Sequence, residues 1–239
     1  MSNKSVSIVK NIAQQLQARL QQKDWADTGK LPGQRQLAEE LGVSRASLRE
    51  AITMLEGLGL LRSEPGRGVF IAKPGQEGLG SAYGRWSFQG RYALRDVYLV
   101  RAQLEELAVM LVANVVTSSG LERLRGTVAQ MQLAAETGDL VTMAEGDNAF
   151  HSCIFELAGS PLLLDILASI HDVVEGSRQV AFANPARVNE PIQEHIRVIE
   201  ALATGSPERA RQAMREHLNK VADRSGVRLE IPAAQGAQP

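Results

Sequence analysis

Two sets of residues in this 239-residue chain have types and spacings that could do chemistry. The first is Ser44, Arg45, Ser47 and Arg49, with Arg35 before them and Gly66 and Arg67 after. Guanidinium forks grip guanine edges in a major groove and hydroxyls hold phosphate, so a helix that opens on Ser and Arg suits DNA. The second set is Asp147, His151, His195 and His217. Asp147 and His151 stand four apart and would share one face of a helix. Three imidazoles and a carboxylate, once converged, make a site for a borderline divalent ion such as Zn²⁺ or Ni²⁺. Linear order leaves two readings of this second set open: one converged site, or histidines scattered over surfaces and helix ends.

The first set needs a frame, and Leu31 to Ile71 supplies one. Leu37, Ala38 and Leu41 recur at helical spacing. Gly42 ends that helix where a left-handed residue is wanted, and Ser44 is placed to cap the next. Beyond Arg45, the residues Leu48, Ile52, Leu55 and Leu58 point inward while Arg45, Ser47 and Arg49 lie elsewhere on the surface. Leu60-Leu61, the run Glu64-Pro65-Gly66-Arg67-Gly68 and Val69-Phe70-Ile71 then read as strand, turn and strand, a wing with a basic tip. The expectation is a winged helix-turn-helix that binds double-stranded DNA. Arg35 could also make a local ion pair with Glu39, and the two roles are compatible.

The second set needs helices, and the rest of the chain reads as helical throughout. Ile8, Ile12, Leu16 and Leu20 predict a first helix over 6–22 that packs on the winged module, giving a head over 1–73. Gly and Pro are dense after Lys73, so 74–90 is expected to be a linker, with an aromatic patch at Tyr83 to Phe88. Helices are expected over 94–116, 120–137, 140–158, 161–182, 189–204 and 207–224, separated by breaks such as Gly138-Asp139, Gly159-Ser160, Asn184-Pro185 and Gly205-Ser206-Pro207. Residues 91–229 thus form an antiparallel bundle, and 230–239 a frayed tail. The fold class is mainly α: a winged helix-turn-helix followed by an all-α bundle.

Composition agrees with a two-domain globular chain. Hydrophobic residues make up 44% and charged residues 22%, which excludes a disordered chain. There is no apolar run of about eighteen residues and no secretory core at the N-terminus, so no membrane association and a cytoplasmic location are expected. The single Cys153 rules out an internal disulfide and reads as a small buried hydrophobe. The net charge of −1 hides a split. Through Lys73 there are 11 Lys and Arg against 7 Asp and Glu, leaving 15 and 20 of the totals of 26 and 27. A basic head on an acidic body favours phosphate at one end only.

The run LPGQRQLAEELGVSRASLREAITMLEGLGLL resembles the DNA-binding module of the GntR family of bacterial transcription regulators. That resemblance implies that Arg35, Arg45, Arg49, Gly66 and Arg67 meet DNA. The segments DNAFHSCIFELAGSPLL, EHIRVIEAL and ARQAMREHL look like the FadR-type, or FCD-type, ligand-binding domain of one branch of that family. Together the two likenesses run from Ile8 to Arg224. The second implies that Asp147, His151, His195 and His217 ligate a divalent metal, Zn²⁺ ahead of Ni²⁺, Mn²⁺ or another ion. It also implies that Arg101 faces the effector pocket, where its fork would hold a carboxylate; a helix pair with Glu105 is the other reading of Arg101. Asn148 and Arg178 are further effector-binding candidates, and His171 falls outside the pattern. The resemblance implies a homodimer that reads a palindromic operator, acts as a repressor, responds to a small carboxylate and is not an enzyme. Two alternatives stand beside it: a metalloenzyme with Glu194 as base, and a DNA-binding protein with a purely structural metal.

Overall fold

In the computed structural model, which describes residues 3–72, 88, 90–182 and 187–229, the head is built on α1 (Asn3–Gln21), α2 (Gln34–Leu41) and α3 (Arg45–Gly57). Gly42 closes α2 at φ +65°, a left-handed cap that returns the Val43 N–H to the Ala38 carbonyl. Ser44 caps α3 by accepting the Ser47 N–H at 3.0 Å. Val9, Ile12, Ala13 and Leu16 of α1 are buried with Leu48, Ile52 and Leu55 of α3. Strands β1 (Leu61–Glu64) and β2 (Gly68–Ile71) pair antiparallel, with Leu61 opposite Ile71. Between them, Pro65 followed by Gly66 at φ +72° is the residue pattern of a type II turn. The backbone before α2 adds to this wing through a Lys30–Phe70 bridge.

The sensor consists of α4 (Leu94–Ala113), α5 (Ser118–Thr137), α6 (Leu140–Leu157), α7 (Pro161–Ser169), α8 (His171–Ala181), α9 (Asn189–Ala203) and α10 (Pro207–Arg224). Side-chain caps open four of them: Thr117, Asp139, Ser160 and Ser206 each accept an N–H three residues on. α4 lies along α10 and α5 along α6, while α9 packs on α10 and α5. The mainly-α architecture with a winged head is therefore as expected. One expectation fails. A single helix over 161–182 is replaced by α7 and α8, broken at Ile170, whose backbone leaves the helical region at φ −117°, ψ 13°. Neither Gly nor Pro marks that break, and apolar periodicity runs straight through it. The expected patch at Tyr83 to Phe88 (apart from Phe88 itself), the Asn184-Pro185 break and the tail lie outside the described residues. No helix among the described residues is long and apolar enough to cross a membrane.

Head and sensor touch through one face of α1. Lys10, Gln14, Gln17 and Gln21 follow helical spacing and meet the start of α6 and the turn before it. Lys10 Nζ is 3.6 Å from Glu145, and Gln14 donates to Thr142 Oγ1 at 3.1 Å. Gln17 donates to Asp139 at 2.9 Å while accepting the Val141 N–H at 3.2 Å, and Gln21 donates to the Gly138 carbonyl at 3.2 Å. A second contact joins α8 to α3: a Cβ at Gly57 would stand 2.9 Å from Gln179 Oε1.

Close helix approach also depends on Gly146 of α6, where a Cβ would fall 2.5 Å from Met131 Cγ on α5. Gly146→Val is expected to lower stability by about 1–3 kcal/mol through overpacking. A urea titration checks this; an unchanged midpoint would contradict the α5–α6 packing.

Candidate functional site

The imidazoles of His151 (α6), His195 (α9) and His217 (α10) come together in the sensor core. One ring nitrogen of each lies within 4.8 Å of the other two, and all three rings are buried. His151 Nε2 and His217 Nε2 face one another at 3.3 Å. His195 stacks on Phe150 with ring centroids 3.8 Å apart. Asp147, one turn before His151, places Oδ1 3.4 Å from His195 Nε2 and 3.8 Å from His151 Nε2. The chain thus converges these four residues from three helices, which decides between the two readings left open by linear order.

Burial disfavours the charged form of His151 and His195. Desolvation pulls the His151 pKa down to about 4 against the attraction of Glu105. Desolvation pushes His195 well below the usual imidazole range, and the neighbouring His217 and His151 push the same way. Neither ring nitrogen of His195 has a hydrogen-bond partner among the described residues. An unpartnered polar atom in a core costs on the order of 1–3 kcal/mol. Imidazole nitrogens aimed into one small volume beside a carboxylate are the donor set of a divalent metal. The residues present fit such an ion.

Two buried carboxylates grip the rings from behind. Glu105 (α4) contacts His151 Nδ1, and Glu194 (α9) accepts from His217 Nδ1 at 2.9 Å. Glu194 is held in turn by two nitrogens of Arg224, each at 2.8 Å. Burial alone would raise the Glu194 pKa, but hydrogen bonds from Arg224 and His217 outweigh it and bring it to about 2. Linear order offered Glu194 as a base beside His195; in the fold it turns away toward Arg224 and His217.

Glu105 also anchors the effector candidates. Arg101 Nε donates to Glu105 Oε1 at 3.0 Å and one terminal nitrogen donates to Ser177 Oγ at 3.0 Å, with the guanidinium over the Tyr98 ring. The helix pair considered for Arg101 is therefore formed, at the edge of the metal-like cluster. Arg178 (α8) donates to Glu105 Oε1 at 3.4 Å and to Asn148 Oδ1, and its Nε has no hydrogen-bond partner among the described residues. Desolvation lowers the Arg178 pKa, whereas at Arg101 desolvation is outweighed by Glu105, Tyr98 and Asp147 acting together. Arg178 is thus the less neutralised cation. Arg178 and Asn148 line a narrow cleft with Lys10 and Met54 of the head; at about 10 Å³ it has room for one water. His171 lies apart, half-exposed and paired with Glu175 at 3.3 Å. Cys153 is a buried member of the core.

In the head, Arg45 and Arg49 are exposed one turn apart on α3, and Ser44 Oγ lies 2.9 Å from Ser47 Oγ at its N-terminus. Arg35 is exposed on α2 with its Nε 3.9 Å from Glu39, so the local pair is loose and the guanidinium open to solvent. Gly66 and Arg67 form the exposed wing tip. Two cations escaped the sequence reading. Lys30, Arg62 and Arg67 all sit over the Phe70 ring, at 5.5, 5.6 and 5.6 Å, while Glu64 pairs with Arg62 and Arg67. Alternation within Leu61-Arg62-Ser63-Glu64 was the signal available for Arg62. Lys30 needed the bridge to Phe70.

Family models match both parts of the chain: one described as "FCD domain" over residues 96–220, and one described as "Bacterial regulatory proteins, gntR family" over residues 8–71. The chain is 29% identical over 199 residues to the Glc operon transcriptional activator of Escherichia coli strain K12, covering 80% of this chain and 78% of that protein. It is 26% identical over 218 residues to the HTH-type transcriptional repressor NanR of Cronobacter sakazakii, covering 88% and 82%. Among solved structures it is similar to E. coli McbR/YncC, with a TM-score of 0.50 at 21% identity over 91% of this chain and 94% of that one, a likeness of fold.

Glu105 is the counter-charge to two buried guanidiniums. Glu105→Ala is expected to cost about 3–5 kcal/mol, because it leaves buried cations uncompensated. A denaturant titration of the full chain measures it, and a loss below that of a surface substitution would show that the cluster does not carry charge as described.

Proposed function

The chain belongs to the bacterial gntR regulatory family and carries an FCD domain, and we propose that a small carboxylate held beside a divalent metal controls its grip on DNA. Members of the family and the relatives above are DNA-binding transcriptional regulators, not enzymes. The head supports double-stranded DNA as partner: Arg45 and Arg49 would read base edges, and Arg35, Ser44, Ser47, Gly66 and Arg67 would contact the duplex around them. The cellular setting follows as cytoplasmic, where operators are. The domain division follows the sequence reading: head over 1–73, linker 74–90, sensor 91–229, tail 230–239.

The observation that carries the metal and effector reading is the unpartnered His195 beside buried His151, His217 and Asp147. These four would hold the ion, Zn²⁺ first by donor type, with Ni²⁺ and Mn²⁺ as alternatives. When bound, the ion supplies Lewis-acid attraction for a carboxylate oxygen. Charge balance points to the same ligand class. Glu105 and Asp147 offset Arg101 and Arg178, and Glu194 offsets Arg224, so the buried cluster is neutral as it stands. A divalent ion leaves it two charges positive, and burial penalises uncompensated charge. A small carboxylate restores neutrality, with Arg101, Arg178 and Asn148 as its protein contacts.

Control of DNA binding would pass through α6 and α8. Asp147 and His151 are on α6, whose start is held by the α1 glutamines. Arg178 precedes Gln179, which reaches the end of the recognition helix at Gly57. A ligand drawing Arg178 off Glu105 and Asn148 would widen the narrow cleft and loosen the head. Ligand and operator would then oppose one another, as in a repressor, and the coupling must be reciprocal.

A homodimer on a palindrome completes the reading. Its support is the outer face of α4. Val100 is 50% exposed, Leu107 47%, and Val115 just beyond the helix 63%. A helix apolar on its outer as well as its inner face belongs in an interior. Val100 and Leu107 lie equally far from the midpoint between Gln103 and Leu104, as do Tyr92 and Val115, which suits a two-fold contact in which Val100 meets Leu107 of a second copy and Tyr92 meets Val115 of that copy.

Arg45→Ala and Arg49→Ala should each cost roughly 1–3 kcal/mol on the operator with little change on random DNA. Equal losses on both DNAs in a gel-shift titration would refute the recognition-helix assignment. Zn²⁺-loaded protein should melt at a higher temperature with one class among hydroxy-, keto- and sugar acids, and the same acid should weaken operator binding. His195→Ala should lose stoichiometric zinc and that response together; zinc retained by the variant, or no acid acting on the wild type, overturns the effector account.

A further inference from the structure

Three buried imidazoles can present nitrogen lone pairs to one point only if each ring is held in one tautomer. His217 is held by Glu194, whose Oε2 accepts from Nδ1 at 2.9 Å. With the proton on Nδ1, Nε2 carries a lone pair, and it faces His151 Nε2 at 3.3 Å. His151 Nδ1 lies against the Glu105 carboxylate in an ion-pair contact. With the His151 proton also on Nδ1, beside Glu105, two lone pairs would face each other across this 3.3 Å gap, an arrangement that a cation relieves.

The two carboxylates differ in their other duties. Glu105 also anchors Arg101 and Arg178. Glu194 has a single further partner at full strength, Arg224, which brackets both of its oxygens at 2.8 Å and reaches Glu190 at 3.1 Å. Glu194 is buried, as is the guanidinium that grips it. A buried ion pair contributes little net stability compared with apolar packing of the same volume. Its geometry instead fixes a third group, the His217 ring.

Building on the metal reading above, we infer that Glu194 and Arg224 are positioning residues for the metal centre. Arg224 orients the Glu194 carboxylate, and the carboxylate holds His217 with Nδ1 protonated and Nε2 free to ligate. Partners one shell beyond a metal's ligands commonly carry a tenfold to hundredfold share of its affinity. Arg224 lies at the end of α10 and Glu194 in α9, so the pair also ties the metal-bearing faces of those helices together.

The test uses the full-length protein with Zn²⁺ or Co²⁺ alone as the probe. Glu194→Gln is expected to raise the zinc dissociation constant roughly 10–100-fold and to change the visible absorption of the cobalt-loaded site. Operator binding by the metal-free protein should stay as in the wild type. Arg224→Lys keeps the charge but not the two-pronged grip, and should fall between wild type and Glu194→Gln. Because Glu194→Gln strands a buried guanidinium, the double variant Glu194→Gln/Arg224→Gln removes both charges and should fold with the same loss of zinc affinity. In metal-free protein, nitrogen NMR of the histidines should find His217 as the Nδ1–H tautomer in wild type and a mixture in Glu194→Gln. Unchanged zinc affinity in folded Glu194→Gln or in the double variant overturns the inference while leaving the metal reading intact. A wild type that binds neither ion overturns both.

Discussion

Everything in the sensor depends on keeping three imidazoles inside a buried core with their nitrogens aimed at one another. Phe150 shields His195 by stacking, and desolvation holds His151 and His195 uncharged. Burying polar rings in this way is unfavourable unless something satisfies them. For His217 a carboxylate does so at Nδ1, and His151 Nδ1 has the Glu105 carboxylate in ion-pair contact; for His195 no hydrogen bond among the described residues does. The fold tolerates that deficit because the three rings come from α6, α9 and α10, whose packing is fixed by apolar contacts elsewhere along each helix.

That constraint also explains why so many charges are buried nearby. Each carboxylate behind an imidazole needs its own counter-charge, and each guanidinium is buried alongside it. Glu194 brings Arg224; Glu105 brings Arg101 and Arg178. The outcome is a neutral but polar interior with directional bonds between α4, α6, α8, α9 and α10. Such a core has few soft adjustments, so a change in one bond is passed along helices and not absorbed locally.

Much of this was legible in linear order. Gly42, Ser44 and the Pro65-Gly66 turn placed the recognition helix and wing, because caps and tight turns are decided within a few residues. The full span of α10, Pro207–Arg224, is legible for the same reason, with Ser206 as its cap. The break at Ile170 was not, since only tertiary packing marks it. At the site, the four ligand candidates could be named by residue type, yet their convergence could not be derived from spacing. The counter-charges were less visible still. Arg224 meets Glu194 across 30 residues and Arg178 meets Glu105 across 73, and nothing local distinguishes them from solvated charges. The cation cluster on Phe70 escaped for a like reason, as Lys30 reaches the ring only through an isolated bridge.

The position of α6 decides how a sensor of this kind could speak to its head. Its first turns, from Asp139 to Glu145, are held by Gln17, Gln14 and Lys10 of α1; one turn later it presents Asp147 and His151. Gly146 between these two stretches lets the helix approach Met131 without a side chain, so α6 is braced against α5 where the two functions meet. A rigid helix rises about 1.5 Å per residue, so the grip on the head and the metal-facing residues are separated by only about 10 Å. A tilt of α6 would act on the α1 contacts directly. Gln17 both donates to Asp139 and accepts from Val141, and would lose both bonds together. The contacts of α6 with the head and its cluster-lining residues thus lie on one helix a short distance apart.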